Sequence, residues 1–511
     1  MNQILIQGVI IIISLLSIII INQKDIILIN IKNKYIKQIS LLLIIYFIYI
    51  GIYINYLFNN NILGFQLINN YININWGIDG ISLWLINLTL ILLPISLISN
   101  WNISKNEDKS KVLTYVLLIL IIGIIIILNF ICLDLITFYI LFEATLLPLF
   151  ILIGKLGSLP YNGNNKIIIK GINNNNITPR EKAAYYIFIY TLFSSLFMLL
   201  SIGIYIYMIN NIDYNNIYNI ILSIDLQSII FIGLIIGILV KTPVFPVHTW
   251  LPLVHAESPI SGSIILAGII IKLAIYAIIR LILINLSDVI IIYNPLIYTI
   301  GILTIFYIGL ITLKQIDIKV IIAYSSIIHM AIAIMSIFSN NILGIEGSLL
   351  ISIAHGFASP ALFLLVGGIL YDRYHSRLIY YYQSLATYMP IFSIYLLIAG
   401  LFMNGIPLSL NFIGEFLSLN GIFIYNSLFA ILSTFSLFIT TIYQMKLTTK
   451  LLYGYKSIYI NIWSIWGNDV NKRELLLLNI LFFFIILFGI YPNLIIKSLN
   501  LSISSLLYIP F

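Results

Sequence analysis

Residues 229–280 read IIFIGLIIGILVKTPVFPVHTWLPLVHAESPISGSIILAGIIIKLAIYAIIR, and this segment is the most informative one for predicting the fold. It contains two long apolar runs on either side of a proline-rich segment, and Lys241 and Lys272 lie inside the runs. A bilayer-spanning helix needs about 20 mostly apolar residues, so both runs are predicted to cross a membrane. An ionisable side chain inside such a helix costs about 2.5–3.5 kcal/mol to insert, and is therefore expected to serve a function.

The composition of the whole chain is that of a membrane protein. Of its 511 residues, 61% are hydrophobic and 8% are charged, whereas ordinary globular chains contain about 25% charged residues. The formal net charge is +8, but the basic residues form no stripe and lie in short loops, so no nucleic-acid partner is expected. The single cysteine, Cys132, excludes disulfides and cysteine-bound iron–sulfur clusters within the chain.

Long apolar runs recur along the rest of the chain. They predict an all-α, polytopic membrane protein with about fourteen transmembrane helices. The first run follows no Arg/Ser-rich transit peptide and contains no small-residue cleavage site, so it is predicted to be a retained helix. The predicted spans centre on Ile12, Phe47, Leu90, Ile121, Leu141, Leu196, Gly237, Ile270, Ile302, Ile327, Phe363, Ile398, Leu432 and Ile485.

The loops between the predicted spans alternate in charge. Twenty-one of the 25 basic residues, Lys319 among them, are assigned to loops after odd-numbered spans. The loops after even-numbered spans are assigned mainly acidic residues, such as Asp79 and Glu346, together with Arg280. Because Lys and Arg crowd one side of a membrane, both termini are predicted to lie on the opposite side. The longest odd loop contains the Asn-rich segment 162–177, which is predicted to be an exposed insertion without chemistry.

Several titratable side chains are left inside the predicted spans, and they form a candidate proton relay. Unmatched charges would oppose insertion, so partners or internal water are required. A neutral imidazole can accept a proton on one nitrogen and donate one from the other. Structural ion pairs and hydrogen-bonded packing histidines remain the alternative interpretations. The candidate residues are Glu143, Lys241, Lys272, His329, His355 and Glu415.

A further histidine, His248, lies between Pro246 and Trp250. A role at a helix end and an accessory role in proton transfer are both open for this side chain. No two histidines have the i, i+4 spacing of a helical metal site, so no metal site is predicted.

Two of the predicted spans are broken. Helix 7 carries Pro243 and Pro246, and helix 12 carries Gly405 and Pro407. Proline removes a backbone donor, which is tolerated in lipid only where protein or water satisfies the freed carbonyl groups. Grouping helices 4–8 and 9–13 puts each break in the fourth helix of its group, which is typical of transporters built from internal repeats. Two consecutive repeats of five helices must be inverted with respect to each other.

The predicted division of the chain follows from this grouping. It comprises N-terminal helices 1–3 in residues 1–110, a first repeat in 111–285, a second repeat in 286–450, and a loop with helix 14 in 451–511.

The same residues lie in motifs that carry a family resemblance. These motifs are DLITFYILFEATLLP (134–148), VKTPVFPVHTWLPLVHAESP (240–259), GSIILAGIIIKLAIYAIIR (262–280), QIDIKVIIAYSSIIHM (315–330), AHGFASPALFLLVGGILYDRYHSR (354–377) and NGIPLSLNFIGEF (404–416). Together they resemble the antiporter-like, proton-pumping membrane subunits of respiratory complex I, over about residues 75 to 495.

The resemblance implies a role for each candidate relay residue. Glu415 matches a helix-12 position that is glutamate in one branch of the family and typically lysine in its sister subunits. Pro360 stands where small residues are usual, so helix 11 is expected to be kinked there. The other matches are the helix-5 glutamate at Glu143, the lysines of helices 7 and 8 at Lys241 and Lys272, and the central-axis histidines at His329 and His355.

The resemblance also implies a function and a setting. We expect proton translocation in the mitochondrial inner membrane, within NADH:ubiquinone oxidoreductase. The expected partners are other membrane-arm subunits, especially the antiporter-like subunits 2 and 5, together with the lipid bilayer. Heavy use of amino acids with A/T-rich codons fits a mitochondrial gene.

No redox centre is expected in this chain, because it has no Rossmann glycine fingerprint and too few cysteines for a cluster. NADH, FMN, iron–sulfur clusters and ubiquinone are expected in other subunits. Two alternative functions remain open at this point. They are a subunit of a multisubunit, Mrp-type sodium/proton antiporter and a non-pumping scaffold of the membrane arm.

Overall fold

A computed structural model describes residues 29–71, 74–100, 109–157, 178–209, 211–214, 222–455 and 469–507. The first of the fourteen predicted spans and the Asn-rich segment 162–177 lie outside these residues. The centres of the other thirteen spans all fall in helices, which confirms the helical membrane fold. In the described part of the chain, eleven helices are long and apolar enough to cross a membrane.

Most of the predicted spans correspond to one helix each, and the fifth, seventh and twelfth are divided into two segments. The helices are α1 (Ile29–Leu57), α2 (Gly80–Ser99), α3 (Lys109–Ile131), α4 (Leu135–Ala144), α5 (Leu146–Leu156), α6 (Pro179–Ile209), α7 (Ile224–Lys241), α8 (Trp250–Glu257), α9 (Ile260–Leu283), α10 (Ser287–Lys314), α11 (Ile318–Phe338), α12 (Ile342–Tyr374), α13 (Pro390–Met403), α14 (Leu410–Tyr425), α15 (Ser427–Leu452), α16 (Lys472–Ile490) and α17 (Asn493–Leu507).

Both predicted helix breaks are present. The first separates α7 from α8 and contains Pro243 and Pro246. The second separates α13 from α14 and contains Pro407 and Gly405, whose φ of +64° lies in the left-handed region that favours glycine. The division between α4 and α5 was not predicted. Pro148 lies just beyond it and cannot donate a hydrogen bond to the carbonyl four residues earlier.

Helices α9 and α12 form the centre of the molecule. Every residue in their apolar windows is buried inside the protein, unlike the outer helices, which leave large apolar side chains exposed. A helix that is hydrophobic all round belongs in a core. Each central helix also contains wider π-helical turns, at Leu266–Ile270 and Ile278–Leu283 in α9 and at Leu364–Leu370 in α12. Helix α12 continues through Pro360, and its irregular turn begins four residues later.

Two elements have no counterpart in the sequence prediction. Strands β1 (Gln66–Tyr71) and β2 (Ile74–Ile78) form an antiparallel hairpin before α2. Helix α17 packs against the start of α2, where the indole of Trp84 donates a 2.6 Å hydrogen bond to Ser498. Both elements are too short or too polar to appear as membrane spans, so a search for apolar runs cannot find them.

Candidate functional site

The contact between α9 and α12 joins two of the predicted relay residues. The Nζ of Lys272 lies 2.8 Å from Nδ1 of His355, and both side chains are buried. The ammonium form of Lys272 can only donate, and in that form Nδ1 of His355 is the acceptor and Nε2 carries the ring proton. The same Nζ donates to the carbonyl of Ala267, which lies in the first π-helical turn of α9. Such turns are frequent at functional sites.

The chain of titratable groups continues from His355 into α11 and α14. The ring centroids of His355 and His329 are 5.7 Å apart, close enough for one water molecule to link ring nitrogens. Nδ1 of His329 lies 3.3 Å from Oε1 of Glu415, and both side chains are buried. The fold therefore places Lys272, His355, His329 and Glu415 in one buried row. The row joins the consecutive helices α11 and α12 to α9 and α14, which lie further away in the sequence.

Glu415 is built into the second helix break. Its Oε2 packs so closely against Gly405 that a Cβ atom at that position would collide with it. Any other residue at position 405 would also be strained by the positive φ. Glycine is thus favoured by the backbone of the break, and a larger residue would also displace the carboxylate of Glu415.

Lys241 is the last residue of α7 and is 2% exposed. Its Nζ donates a 2.7 Å hydrogen bond to the carbonyl oxygen of Phe142 and lies 3.2 Å from the centroid of the Phe142 ring. A cation is favoured at the C-terminal end of a helix and over an aromatic face. The Lys241 ammonium is therefore held by dipoles and by a ring rather than directly by a carboxylate.

Glu143 is the neighbour of Phe142 at the end of α4 and is half-buried. No ion pair within 4.0 Å joins it to Lys241 among the residues that the structure describes. Lys241 and Ser195 are nevertheless the side chains that act electrostatically on the Glu143 carboxyl group. Glu143 thus borders the Lys241 site, and its role in the relay stays a prediction.

The carbonyl groups freed by the two breaks are satisfied by side chains from beyond each break. The indole of Trp250 donates a 2.9 Å hydrogen bond to the carbonyl of Val240. The amide of Asn411 donates a 2.6 Å hydrogen bond to the carbonyl of Phe402. Each break thus has a side-chain donor for a freed carbonyl, and in the second break the N–H of Gly405 also donates to the Phe402 carbonyl over 3.3 Å.

His248 lies in the first break and is 5% exposed. Aromatic rings surround it, with the centroids of Phe245 and Tyr307 each 6.1 Å from that of the imidazole. It makes no described contact with Lys241 or Lys272, so an accessory role in proton transfer also stays a prediction.

Several residues that were assigned to loops are in fact buried. Arg280 and Asp79 form an ion pair between the end of α9 and the start of α2, and neither is more than 3% exposed. Lys319 lies in the first turn of α11, is 4% exposed, and donates a 2.6 Å hydrogen bond to the carbonyl of Ser258. The loop assignment of Arg280 and Lys319 is wrong, because α9 and α11 extend further than their apolar runs. Asp79 does lie outside a helix, as the N-cap of α2, although it is buried. Asp317 caps α11 and could have marked its true start.

His255 was not singled out in the sequence, although it is wholly buried in α8. The only available signal was its position in the motif after the first break, between Pro252 and Pro259.

Comparisons with known proteins show the family to which the chain belongs. Residues 132–440 match a family described as "NADH:quinone oxidoreductase/Mrp antiporter, TM". The chain is 50% identical to NADH-ubiquinone oxidoreductase chain 4 of Candida albicans, over 86% of this chain and 88% of that protein.

Two solved structures have the same fold at low sequence identity. A chain of respiratory complex I from Thermus thermophilus with bound NADH superposes with a TM-score of 0.72 at 23% identity, covering 85% of this chain and 86% of the other. A chain of the Mrp complex from Dietzia superposes with a TM-score of 0.79 at 13% identity, covering 94% of both chains. The sequence matches, rather than these superpositions, place the protein: the chain belongs to the NADH:quinone oxidoreductase/Mrp antiporter membrane family and, within it, to the NADH-ubiquinone oxidoreductase chain 4 proteins.

Proposed function

We propose that this chain translocates protons across the mitochondrial inner membrane as a membrane-arm subunit of NADH:ubiquinone oxidoreductase. The observation that carries the proposal is the buried row of Lys272, His355, His329 and Glu415. Intramembrane ionisable groups in contact with one another are typical of proton relays. The assignment to this oxidoreductase rests on the relatives named NADH-ubiquinone oxidoreductase chain 4.

Lys241 and Glu143 form the first station of this relay. When Glu143 is close, its negative charge favours the ammonium form of Lys241. When it moves away, the buried ammonium loses that support and releases its proton, which passes to Lys272. His355 and His329 then carry the proton by accepting on one ring nitrogen and donating from the other. Glu415 exchanges it with the far side of the membrane.

In this proposal the positively charged loops face the matrix and both termini face the intermembrane space. The neighbouring antiporter-like subunits 2 and 5 extend the row of relay groups on either side. Electron transfer takes place in other subunits, which hold FMN, the iron–sulfur clusters and the NADH and ubiquinone sites. This chain contributes the proton path and the surfaces that join it to the membrane arm.

The test is proton pumping by the assembled complex with Lys241→Ala or Lys241→Arg. Lys241→Ala should abolish or strongly reduce pumping through this subunit. Lys241→Arg should be nearly as damaging, because a guanidinium stays protonated and cannot cycle. Pumping is measured as protons translocated per NADH oxidised in proteoliposomes, with Lys314→Ala as the control at an exposed lysine at the end of α10. Normal pumping by Lys241→Arg would contradict the proposal, since charge alone would then suffice.

A second candidate function is that of a subunit of an Mrp-type sodium/proton antiporter. The family description and the superposition on the Dietzia chain favour it, because both include Mrp antiporters. Co-purification separates the two functions: NADH-oxidising subunits should accompany this chain in the first case, and other antiporter subunits in the second. A non-pumping scaffold would gain nothing from burying charges that are costly to insert. If the chain were such a scaffold, Lys241→Ala and Lys241→Arg would leave proton pumping by the complex unchanged.

A further inference from the structure

Lys319 and His255 are two buried titratable groups that the relay described above does not use. Both lie between Lys272 and the loops that follow helices α10 and α12. A lysine is rarely this buried unless it is paired. Their position raises the question of how a proton reaches the row from the side of the positively charged loops.

His255 carries the first observation. Its ring is stacked on Phe363, with centroids 4.6 Å apart and planes within 11°, and the residue is 0% exposed. Neither of its ring nitrogens has a hydrogen-bond partner among the described residues. Buried polar atoms in proteins are paired with protein groups or with ordered water. Lys319 and Lys272 are the charged groups that act electrostatically on the ring. The ring's contact with Phe363 places His255 on the stretch of α12 between His355, which contacts Lys272, and Gly367, which lies beside Lys319.

Helix α12 carries the second observation, a row of positions spaced four residues apart on one face. His355 contacts Lys272, and Ser359 contacts His355. Phe363 stacks on His255, and the side chain of Lys319 lies beside Gly367. Residues at i and i+4 lie above one another on an α-helix, so His355, Ser359 and Phe363 follow one line, and Gly367 continues past it in the π-helical turn. From His355 to Phe363 the line is about 12 Å long, at 1.5 Å per residue of α-helix.

The outer end of this line opens among charged side chains at the loops. Arg377 lies 3.2 Å from Glu257 and 3.5 Å from Asp317, and these three side chains are between 17% and 24% exposed. They are also the groups, together with Asp372, that act electrostatically on Lys319. Partly exposed carboxylates can collect protons from water, and Lys319 is the first buried group behind them.

We propose that Lys319 and His255 form a proton-uptake branch that supplies Lys272 from the side of the positively charged loops, along the face of helix α12 that bears His355, Ser359, Phe363 and Gly367. The inference rests on the proposed function, since it assigns the route by which the same relay is filled. The Lys319 ammonium transfers a proton through water to one ring nitrogen of His255. The other ring nitrogen releases its proton to the amine of Lys272, so that one proton moves inward and the imidazole changes tautomer.

The experiment compares Lys319→Arg, Lys319→Met and His255→Phe in the assembled complex reconstituted into proteoliposomes. His255→Phe keeps an aromatic ring against Phe363 but cannot carry a proton. Lys319→Arg keeps the charge and a donor for the Ser258 carbonyl but cannot release a proton. All three should lower the number of protons pumped per NADH to the level of Lys241→Ala. A purely structural Lys319 would instead be rescued by arginine.

Tyr298→Phe provides the matched control, because it changes a wholly buried ring in α10 that lies outside this line. It should pump at the wild-type ratio. If His255→Phe prevents assembly, His255→Gln replaces it, because the amide is polar but cannot carry a proton. A wild-type ratio with His255→Phe or Lys319→Arg, beside a low ratio with Lys241→Ala, would overturn the uptake branch and leave the proposed function standing. A wild-type ratio with Lys241→Ala would overturn the proposed function itself.

Discussion

In both broken helices a side chain donates to a carbonyl group that the break has freed, but the two breaks bury charges of opposite sign. In the first break the charge precedes the gap, since Lys241 ends α7. In the second break the charge follows the gap, since Glu415 lies in the second turn of α14. The C-terminal end of a helix favours a cation and the N-terminal end favours an anion. The sign of each buried charge therefore fits the end of the helix segment on which it lies.

The surroundings of the two charges also differ. Lys241 is held by the carbonyl and the ring of Phe142, both of which are fixed in place. Glu415 faces His329, a group whose own charge can change, across 3.3 Å. The first break can therefore hold a proton on a single group, whereas the second shares it with a neighbouring imidazole. Variants at each break can test this distinction.

The largest effect is expected from Glu415→Gln, which keeps the shape of the side chain and removes its charge. Without a carboxylate, the row that begins at Lys272 has no terminal acceptor, so pumping through this subunit should fall as far as in Lys241→Ala. The measurement is protons translocated per NADH by the assembled complex. Phe416→Leu, at an adjacent side chain that is 57% exposed, is the control. Normal pumping by Glu415→Gln would show that the second break has no part in the relay.

An intermediate effect is expected when the donors that close the breaks are removed. Trp250→Phe leaves the carbonyl of Val240 without its indole donor. Asn411→Leu removes the side-chain donor of the Phe402 carbonyl, which keeps a 3.3 Å hydrogen bond from the Gly405 N–H, so its effect should be the smaller of the two. A buried carbonyl that loses its partner costs about 1–3 kcal/mol. Each variant should therefore lower the thermal denaturation midpoint of this chain within the complex.

The matched control for these variants is Trp84→Phe. Its acceptor, the hydroxyl group of Ser498, still donates to the carbonyl of Ile495 after the indole is lost. Trp84→Phe should consequently lower the midpoint less than Trp250→Phe. If Trp84→Phe and Trp250→Phe lowered the midpoint equally, the hydrogen bond from Trp250 to the Val240 carbonyl would not stabilise the first break. The two breaks would then not be stabilised in the same way.

The smallest effect on pumping is expected at a carboxyl pair outside both breaks. The backbone N–H of Asn75 donates to Asp134 over 3.0 Å, and the Asn75 amide donates to Asp213 over 2.7 Å. Burial and the neighbouring Asp213 raise the pKa of Asp134 from 3.8 to about 7. Between these two values the folded state holds the proton and the unfolded state does not, so stability should fall as the pH rises from about 4 to 7.

Hydrogen exchange of the β1–β2 backbone measures this effect, after correction for intrinsic exchange rates. Protection should decrease as the pH rises through this window, and Asp134→Asn should remove the decrease. Asp134→Asn should leave pumping unchanged, because Asp134 makes no contact with the row. A large loss of pumping would mean that charges outside the breaks also control proton transfer.

Hydropathy was sufficient to find the spans, because each segment that crosses the lipid must satisfy its own backbone hydrogen bonds as a helix. A long apolar run therefore predicts a helix without reference to its neighbours. The same reasoning located both breaks, since Pro243, Pro246 and Pro407 act on their own helices. It failed at the ends of helices. Lys319 was assigned to a loop because it precedes an apolar run, yet α11 begins one residue before it.

The sequence alone thus determined that the chain is a helical membrane protein, where its helices break, and which charges the membrane has to accommodate. These are consequences of local composition and of insertion cost. Only the tertiary structure decided which groups meet. It set His355 against Lys272, His329 against Glu415, and Lys241 against a carbonyl group of another helix. Such pairings depend on how helices distant in the sequence pack together, and no property of a single segment specifies them.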